Sequence, residues 1–359
     1  MINVSFKKIA TAAVVATGVA FSASAQAEDV KVGFVYVGPT GDHGWSYQHD
    51  VGRKAVEAEL GLETSYVENV AEGPDAERVI NQLAASGHNL IFTTSFGFMN
   101  PTLKAAKRNP NVMFEHATGY KQAKNLATYS SRFYEGRYIV GHIAGEMTKS
   151  NTIGYIASFP IPEVIRGINA TYLGAKKVNP DIKIKIVWVN SWFDPGKESD
   201  AAKTLIDQGA DVIMQHTDSP APIQVAEERG VWAIGQASDM SAFGPTAHLT
   251  AIIDDWAPYY VARAKLAMEG KWKGGGDTWG GFDTGMVKLA PMNSAIPADV
   301  QDHANTLLAG IIDGSIKPFT GPLNDNTGKE IVAAGSTADD GLLAGMNVYV
   351  EGIDAKVPQ

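Results

Sequence analysis

Two hydrophobic periods alternate along this chain. Short apolar and β-branched runs read as strands: "VKVGFVYV" (30–37), "TSYVEN" (64–69), "LIFTTS" (90–95), "VMFEHA" (112–117) and "LATYSS" (126–131). Between them the period changes to that of a helix. Over Ser46–Leu60, Tyr47, Val51, Ala55 and Ala58 make one apolar stripe, expected to face inward, and Gly61 follows as a left-handed stop. Over 73–87, Pro74 and Asp75 open a helix, Val79, Ile80 and Leu83 point inward, and Gly87 closes it.

A second series starts after a helix over 134–150. Its strands are "TIGYIAS" (152–158), "IKIVWVN" (184–190), "DVIMQHT" (211–217) and "VWAIGQAS" (231–238), with helices over 162–179, 197–209 and 221–230. Near-continuous apolar strands alternating with helices predict parallel sheets covered on both faces and joined by right-handed crossovers. The expected fold is α/β, with two doubly wound parallel-sheet lobes. A last strand, "HLTAIID" (248–254), precedes a long helix over 256–272 and the glycine-rich "KGGGDTWGG" (273–281). That stretch reads either as a return passage between lobes or as a plain linker. Another helix over 298–314 leads to a polar end.

The first 27 residues stand apart from this pattern. Lys7 and Lys8 precede the apolar "IATAAVVATGVAF", and Ala25-Gln26-Ala27 precedes Glu28. This is the pattern of a cleaved secretory signal peptide, and the apolar run is shorter than the roughly 18 residues a membrane span needs. The chain has no cysteine, so no disulfide holds the exported protein together, and Glu28 stands where a lipoprotein would carry its acylated cysteine. The expectation is a freely diffusing protein of a Gram-negative periplasm, monomeric and not anchored to the membrane. Its formal charge goes from −9 to −11 once Lys7 and Lys8 are removed, which argues against nucleic acid or anionic lipid as partners.

No catalytic constellation appears. There is no cysteine nucleophile, no Gly-x-Ser-x-Gly elbow and no His-Glu-x-x-His pair, and the eight histidines are dispersed without zinc-ligand spacing. "HTDSP" (216–220) at a strand end reads as loop chemistry. No cofactor, metal site or enzymatic activity is expected.

The turn after the first strand, "GPTGDHGW", has Gly38, Gly41 and Gly44 at spacings that fit neither a dinucleotide fingerprint nor a phosphate-binding loop. Asp42 there favours a neutral ligand with N–H donors, with Trp45 as a stacking face and His43 beside it. The competing reading has Asp42 and Ser46 capping the helix and Trp45 filling the core. Other aromatics sit at strand ends: Phe96 and Phe98, Phe159, Trp192 and Phe193, and Trp279, with Ser95, Asn100, Asp194, Asp218 and Asp239 as polar neighbours. α/β sheets bind ligands beyond the carboxyl edges of their strands, so the recurrence predicts a cleft for a flat polar heterocycle.

These residues lie within long blocks that resemble the basic membrane protein family of solute-binding proteins, relatives of the purine nucleoside receptor of ABC importers. The blocks are "KVGFVYVGPTGDHGWSYQHDVGRKAVE", "YEGRYIVGHIAGEMTKSNTIGYIASFPIPEVIRGINATYLGAKKVNP", "SWFDPGKESDAAKTLIDQGADVIMQHTDSPAPIQVAEERGVWAIG" and "VKLAPMNSAIP". The resemblance implies a type I periplasmic binding fold with a three-segment hinge, expected near 130–138, 245–252 and 274–286. The lobes would be 28–132 plus 252–278, and 133–251 plus 279–359. It implies a permease and an ATPase as partners, and a purine held between aromatic rings.

Carried across by position, Asp42 matches the family's first-loop acid, Trp45 its nearby aromatic, Phe96 the third-strand loop, and Asp239 the second acid of a stretch that here reads "GQASD". Two sugar-side groups depart: Ala237 replaces an acid and Asp254 a basic residue. Trp192 and Trp279 are expected to narrow the cavity. The ligand set is then Asp42, His43, Trp45, Ser95, Phe96, Phe159, Trp192, Asp218, Asp239 and Trp279, for a free purine such as adenine first and a nucleoside second. Riboflavin or a sugar, a sensory co-receptor, and less readily a nucleoside-processing enzyme are the alternatives.

Overall fold

The computed structural model describes residues 29–358, so the expected signal peptide lies outside the described residues. Strands β1 (Val32–Val35), β2 (Thr64–Val67), β3 (Leu90–Thr93), β4 (Met113–Ala117) and β5 (Leu126–Ser131) come first, with helices α1 (Trp45–Leu60), α2 (Pro74–Ala85) and α3 (Met99–Arg108). The strands pair in parallel in the order β2-β1-β3-β4-β5. β1 and β3 are buried at every position, as strands covered on both faces must be, which is why "VGFV" and "LIFT" carry no polar alternation.

After Arg132 the pattern restarts in a second lobe. It comprises α4 (Phe133–Met147), β6 (Thr152–Ala157), α5 (Pro162–Val178), β7 (Lys183–Trp188), α6 (Pro195–Asp207), β8 (Val212–His216), α7 (Ala221–Arg229), β9 (Trp232–Gly235) and β10 (His248–Asp254). These strands are parallel in the order β7-β6-β8-β9-β10. The chain then returns. α8 (Ala257–Met268) packs on α1, and β11 (Asp277–Gly280) adds to β5 as the sixth strand of the first sheet. A last passage leads to β12 (Val287–Leu289), antiparallel on β10, and to α9 (Ala298–Ile312) on α4.

Four expectations are corrected. The glycine-rich stretch is neither a bare linker nor only a passage: it contains β11, and Gly274 lies so close to the Lys124 carbonyl that a Cβ would sit 2.6 Å from it. α3 was not expected, because "MNPTLKAAKR" is too polar to show a stripe. The second passage between sheets falls at 255–256, past the expected 245–252, since β10 stays in the second sheet through Asp254. Likewise Trp279 and Gly280 belong to the first sheet.

The stripe expected on α1 also lies on the wrong face. Tyr47 and Ala58 are exposed, while His49, Asp50, Gly52, Arg53 and Val56 are buried. α8 explains it. His49 stacks on Trp256 at 4.7 Å and shares a 2.5 Å hydrogen bond between its Nδ1 and the Tyr260 hydroxyl, and Arg53 pairs with Asp50 at 2.6 Å. Gly52 permits this approach: a Cβ there would meet the Tyr260 ring at 2.8 Å. α2 buries Val79, Ile80 and Leu83 as expected.

Candidate ligand-binding site

In a doubly wound sheet, ligands settle at the carboxyl ends of the strands where strand order reverses. Those points lie between β1 and β3 in the first lobe and between β6 and β8 in the second. The two face each other across a small cavity. The first lobe contributes Val37, Trp45, Ser95, Phe96 and Thr118, and the second contributes Glu163, Trp192, His216, Asp218 and Gln236.

The first-lobe wall is built by the turn between β1 and α1. The buried Asp42 carboxylate accepts from the backbone N–H groups of Gly44 (2.8 Å), Tyr47 (2.9 Å) and Ser46 (3.0 Å), the free donors of the first helical turn. Burial raises its pKa to about 6, against those hydrogen bonds, which lower it. Ser46 Oγ accepts from Gly38 N–H at 3.1 Å, which closes the turn. So Asp42 caps α1 and does not line the cavity.

Trp45 does line it. Its indole N–H donates to the Thr94 carbonyl at 2.5 Å, and its edge-on contacts with His49 and Trp256 hold the ring in place. Ser95 donates to Glu72 at 2.5 Å, and Phe96 lies 5.9 Å from Tyr120.

The second-lobe wall is less saturated. Glu163 stands in the first turn of α5, with its carboxylate 3.8 Å from His216 Nε2, while His216 Nδ1 is buried without a partner. Gln236 ends β9. Arg137, wholly buried on α4, donates to the Gln236 side-chain carbonyl and to the Gln215 backbone carbonyl at 2.6 Å. An acceptor must face that guanidinium, so the Gln236 amide keeps its NH₂ end free as a donor.

Asp218 is buried, and its carboxyl is pushed well above the usual range, first by desolvation and then by Asp42 and Glu198. Glu198 itself is engaged by Asp194 N–H (2.8 Å) and by Ser219 N–H and Oγ–H (3.1 and 2.7 Å). Burial therefore favours the neutral carboxyl of Asp218, a form that can donate.

The walls touch. A Cβ on Gly44 would lie 2.5 Å from the Asp218 carbonyl oxygen, so glycine there lets the lobes meet backbone to backbone. Trp192 Nε1–H reaches across to Glu72 at 3.3 Å, and Ser238 Oγ–H donates to the His43 carbonyl.

Of the ten residues expected at the site, Trp45, Ser95, Phe96, Trp192 and Asp218 converge on one cavity. His43 sits on the outer rim, where its ring packs on Phe243 and its carbonyl accepts from Ser238, both of the second lobe. Phe159 packs behind Trp192 at 5.1 Å and lines an outer groove. Asp239 is exposed and accepts from Ser241 N–H at 2.9 Å.

Trp279 lines a neighbouring hollow. Its ring lies beneath the guanidinium groups of Arg132 and Arg166, at 4.7 and 4.8 Å, and its N–H donates to the Ser131 carbonyl at 2.9 Å. Sequence reasoning missed Glu163, His216, Gln236, Thr118 and Val37. For Glu163 a signal existed: the start of α5 occupies in the second series the place that the Asp42 turn holds in the first.

With this geometry established, family comparison is direct. Residues 29–318 match the Bmp family, described as ABC transporter substrate-binding protein, PnrA-like, and the chain belongs to that family. It is 56% identical over 334 residues, 92% of this chain and 95% of the other, to a purine-binding protein of Brucella abortus. It is 39% identical, over 93% of this chain and 82% of the other, to a protein of Haloferax volcanii named for ABC-transporter glucose binding.

Among solved structures, an ABC transporter solute-binding protein from Aeropyrum pernix superposes with a TM-score of 0.70 at 20% identity, covering 83% of this chain and 95% of that one. That likeness bears on the fold, which is the two-lobed arrangement of periplasmic binding proteins. No helix among the described residues is long and apolar enough to cross a membrane.

Proposed function

We propose that this substrate-binding protein captures a purine between its lobes, a free nucleobase such as adenine in preference to a nucleoside, and hands it to the permease and ATPase of an ABC importer. The observation that carries this reading is the composition of the cavity: aromatic rings from both lobes (Trp45, Phe96 and Trp192) around a small space with polar atoms at its margin. A flat heterocycle offers its faces to the rings, and its edge to the Gln236 amide, Asp218, Glu163 and His216. A neutral acid or an amide can donate to one ring nitrogen and accept from the adjacent amino group, the pairing that side-chain amides make with adenine.

The two sugar-side positions that depart from the family do not serve a sugar: Ala237 is a buried alanine, and Asp254 accepts from Ser131 Oγ–H at 2.6 Å at the foot of the first passage. Asp239, the acid that matches, is on the surface. The 56% identical purine-binding relative supports the same ligand class. Export through the signal peptide over 1–27 places the protein in the periplasm. Capture is by closure: contacts from both lobes stabilise the closed form.

The test is calorimetry and thermal shift with adenine, guanine, adenosine, riboflavin and glucose. Adenine at about 100 times its dissociation constant should stabilise the protein by roughly 2.7 kcal/mol, with adenosine binding more weakly. A shift with glucose and none with any purine would replace this reading with the sugar chemistry of the 39% identical relative.

A further inference from the structure

The second lobe assembles another constellation, remote from the cleft. His142 and Glu146 are four residues apart on α4, so they share one face. α9 packs on α4 and brings His303 to them. One imidazole nitrogen from each histidine and one Glu146 carboxylate oxygen all lie within 4.8 Å of one another. The two rings meet edge to face, with centroids 5.9 Å apart.

A second observation points the same way. His142 is only 8% exposed and its Nε2 is buried without a hydrogen-bond partner. Buried imidazole nitrogens ordinarily have one, because leaving such a group unmet is destabilising. Glu146 and His303 are exposed and free to rotate the short distance into coordination.

We propose that His142, Glu146 and His303 bind a divalent transition-metal ion of the zinc type, with water as the fourth ligand, and that the ion ties α9 to α4. Two imidazoles and a carboxylate suit a tetrahedral ion with bonds of about 2.0–2.2 Å. Magnesium and calcium want mostly oxygen and would find one carboxylate. The sequence places only two of these three ligands at short spacing, His142 and Glu146; the third arrives only through the packing of α9. Glu146 lies about 20 Å along the α4 axis from Phe133, at roughly 1.5 Å per residue, so the ion does not reach the cleft.

The experiment uses the untagged chain, stripped with a chelator and titrated with Zn²⁺ by calorimetry. One ion per chain is expected, with a melting midpoint raised by a few degrees. Co²⁺ in its place should give the visible absorption of tetrahedral coordination. His303→Ala, a surface substitution, should weaken Zn²⁺ at least tenfold and abolish the thermal shift, and Glu146→Gln should weaken it less. Adenine binding serves as the control and should be the same in all variants. Failure of the wild-type chain to bind Zn²⁺, or unchanged Zn²⁺ affinity and stoichiometry in His303→Ala, overturns the proposal.

Discussion

The two walls of the cleft are built from the same βαβ unit and differ in what they leave unfinished. On the first-lobe wall nearly every polar group is answered within its own lobe: Asp42 by three backbone N–H groups, the Trp45 indole by Thr94, and Ser95 by Glu72. On the second-lobe wall His216 Nδ1 has no partner, and burial pushes the Asp218 carboxyl toward its neutral, donating form. Gln236 has its amide turned by Arg137 so that two donors face outward. The difference teaches a division of labour. The first lobe supplies an aromatic surface held by its own hydrogen bonds, and in the function proposed above the second supplies the groups that would discriminate one ring edge from another.

Substitutions can break this comparison, and the largest effect is expected at Trp45. Base–aromatic stacking is worth about 1–3 kcal/mol by alanine substitution, so Trp45→Ala should weaken adenine by about 5- to 150-fold, and weaken every flat ligand by a similar factor. A loss confined to adenine would mean that the first wall also discriminates. Gly44→Ala follows. Its methyl would collide with the Asp218 backbone, and overpacking of about 1–3 kcal/mol should appear as weaker binding with normal circular dichroism. Unaltered affinity would show that binding does not require this approach of the lobes.

Gln236→Ala should cost a smaller factor, about 2- to 10-fold for one hydrogen bond, while changing the ratio of adenine to guanine affinity. An unchanged ratio would remove Gln236 from the discriminating set. Asp218→Asn tests the protonated state. Burial favours the neutral carboxyl, so an amide should bind adenine within about threefold of wild type, and should flatten the decline expected in the wild type as rising pH ionises Asp218. A large loss at pH 7 would show that the anion is what the ligand needs.

The smallest effect on binding is expected at Asp254, where stability is the better readout. Its folded pKa of about 8, raised chiefly by burial, exceeds the roughly 3.9 of an unfolded aspartate. The folded state therefore holds the proton across that window, and this contribution to stability is lost as pH rises from about 4 to 8. Asp254→Asn can still accept from Ser131, and its melting temperature should fall less than the wild type's between pH 5 and pH 8.

How much of this was legible in the sequence depends on where each residue finds its partner. α2 is read from the spacing of Val79, Ile80 and Leu83, because burial there follows local pattern. α1 is misread because its buried face is polar, and His49 and Arg53 are made tolerable by Tyr260 and Asp50. Spacing within α1 cannot announce a partner on α8. At Asp42 sequence leaves capping and ligand binding both open, and only the positions of the three N–H groups decide that it caps. Glu163, His216 and Gln236 escape notice because each is an ordinary residue at a strand or helix end, distinguished only by what it faces across the cleft.

The route of the chain between the sheets has a consequence for biosynthesis. The first lobe's core includes Trp256, Tyr259 and Tyr260, and its sheet is finished by β11 at Gly280, both made after five strands of the second lobe. An emerging chain thus has the greater part of the second sheet before the first lobe can close. Neither lobe is a segment that can be completed and set aside while the other is still being made. A chain ending near residue 250 would lack the aromatic floor on which His49 stacks. On the export proposed above, the growing chain would therefore stay open through most of its passage across the membrane.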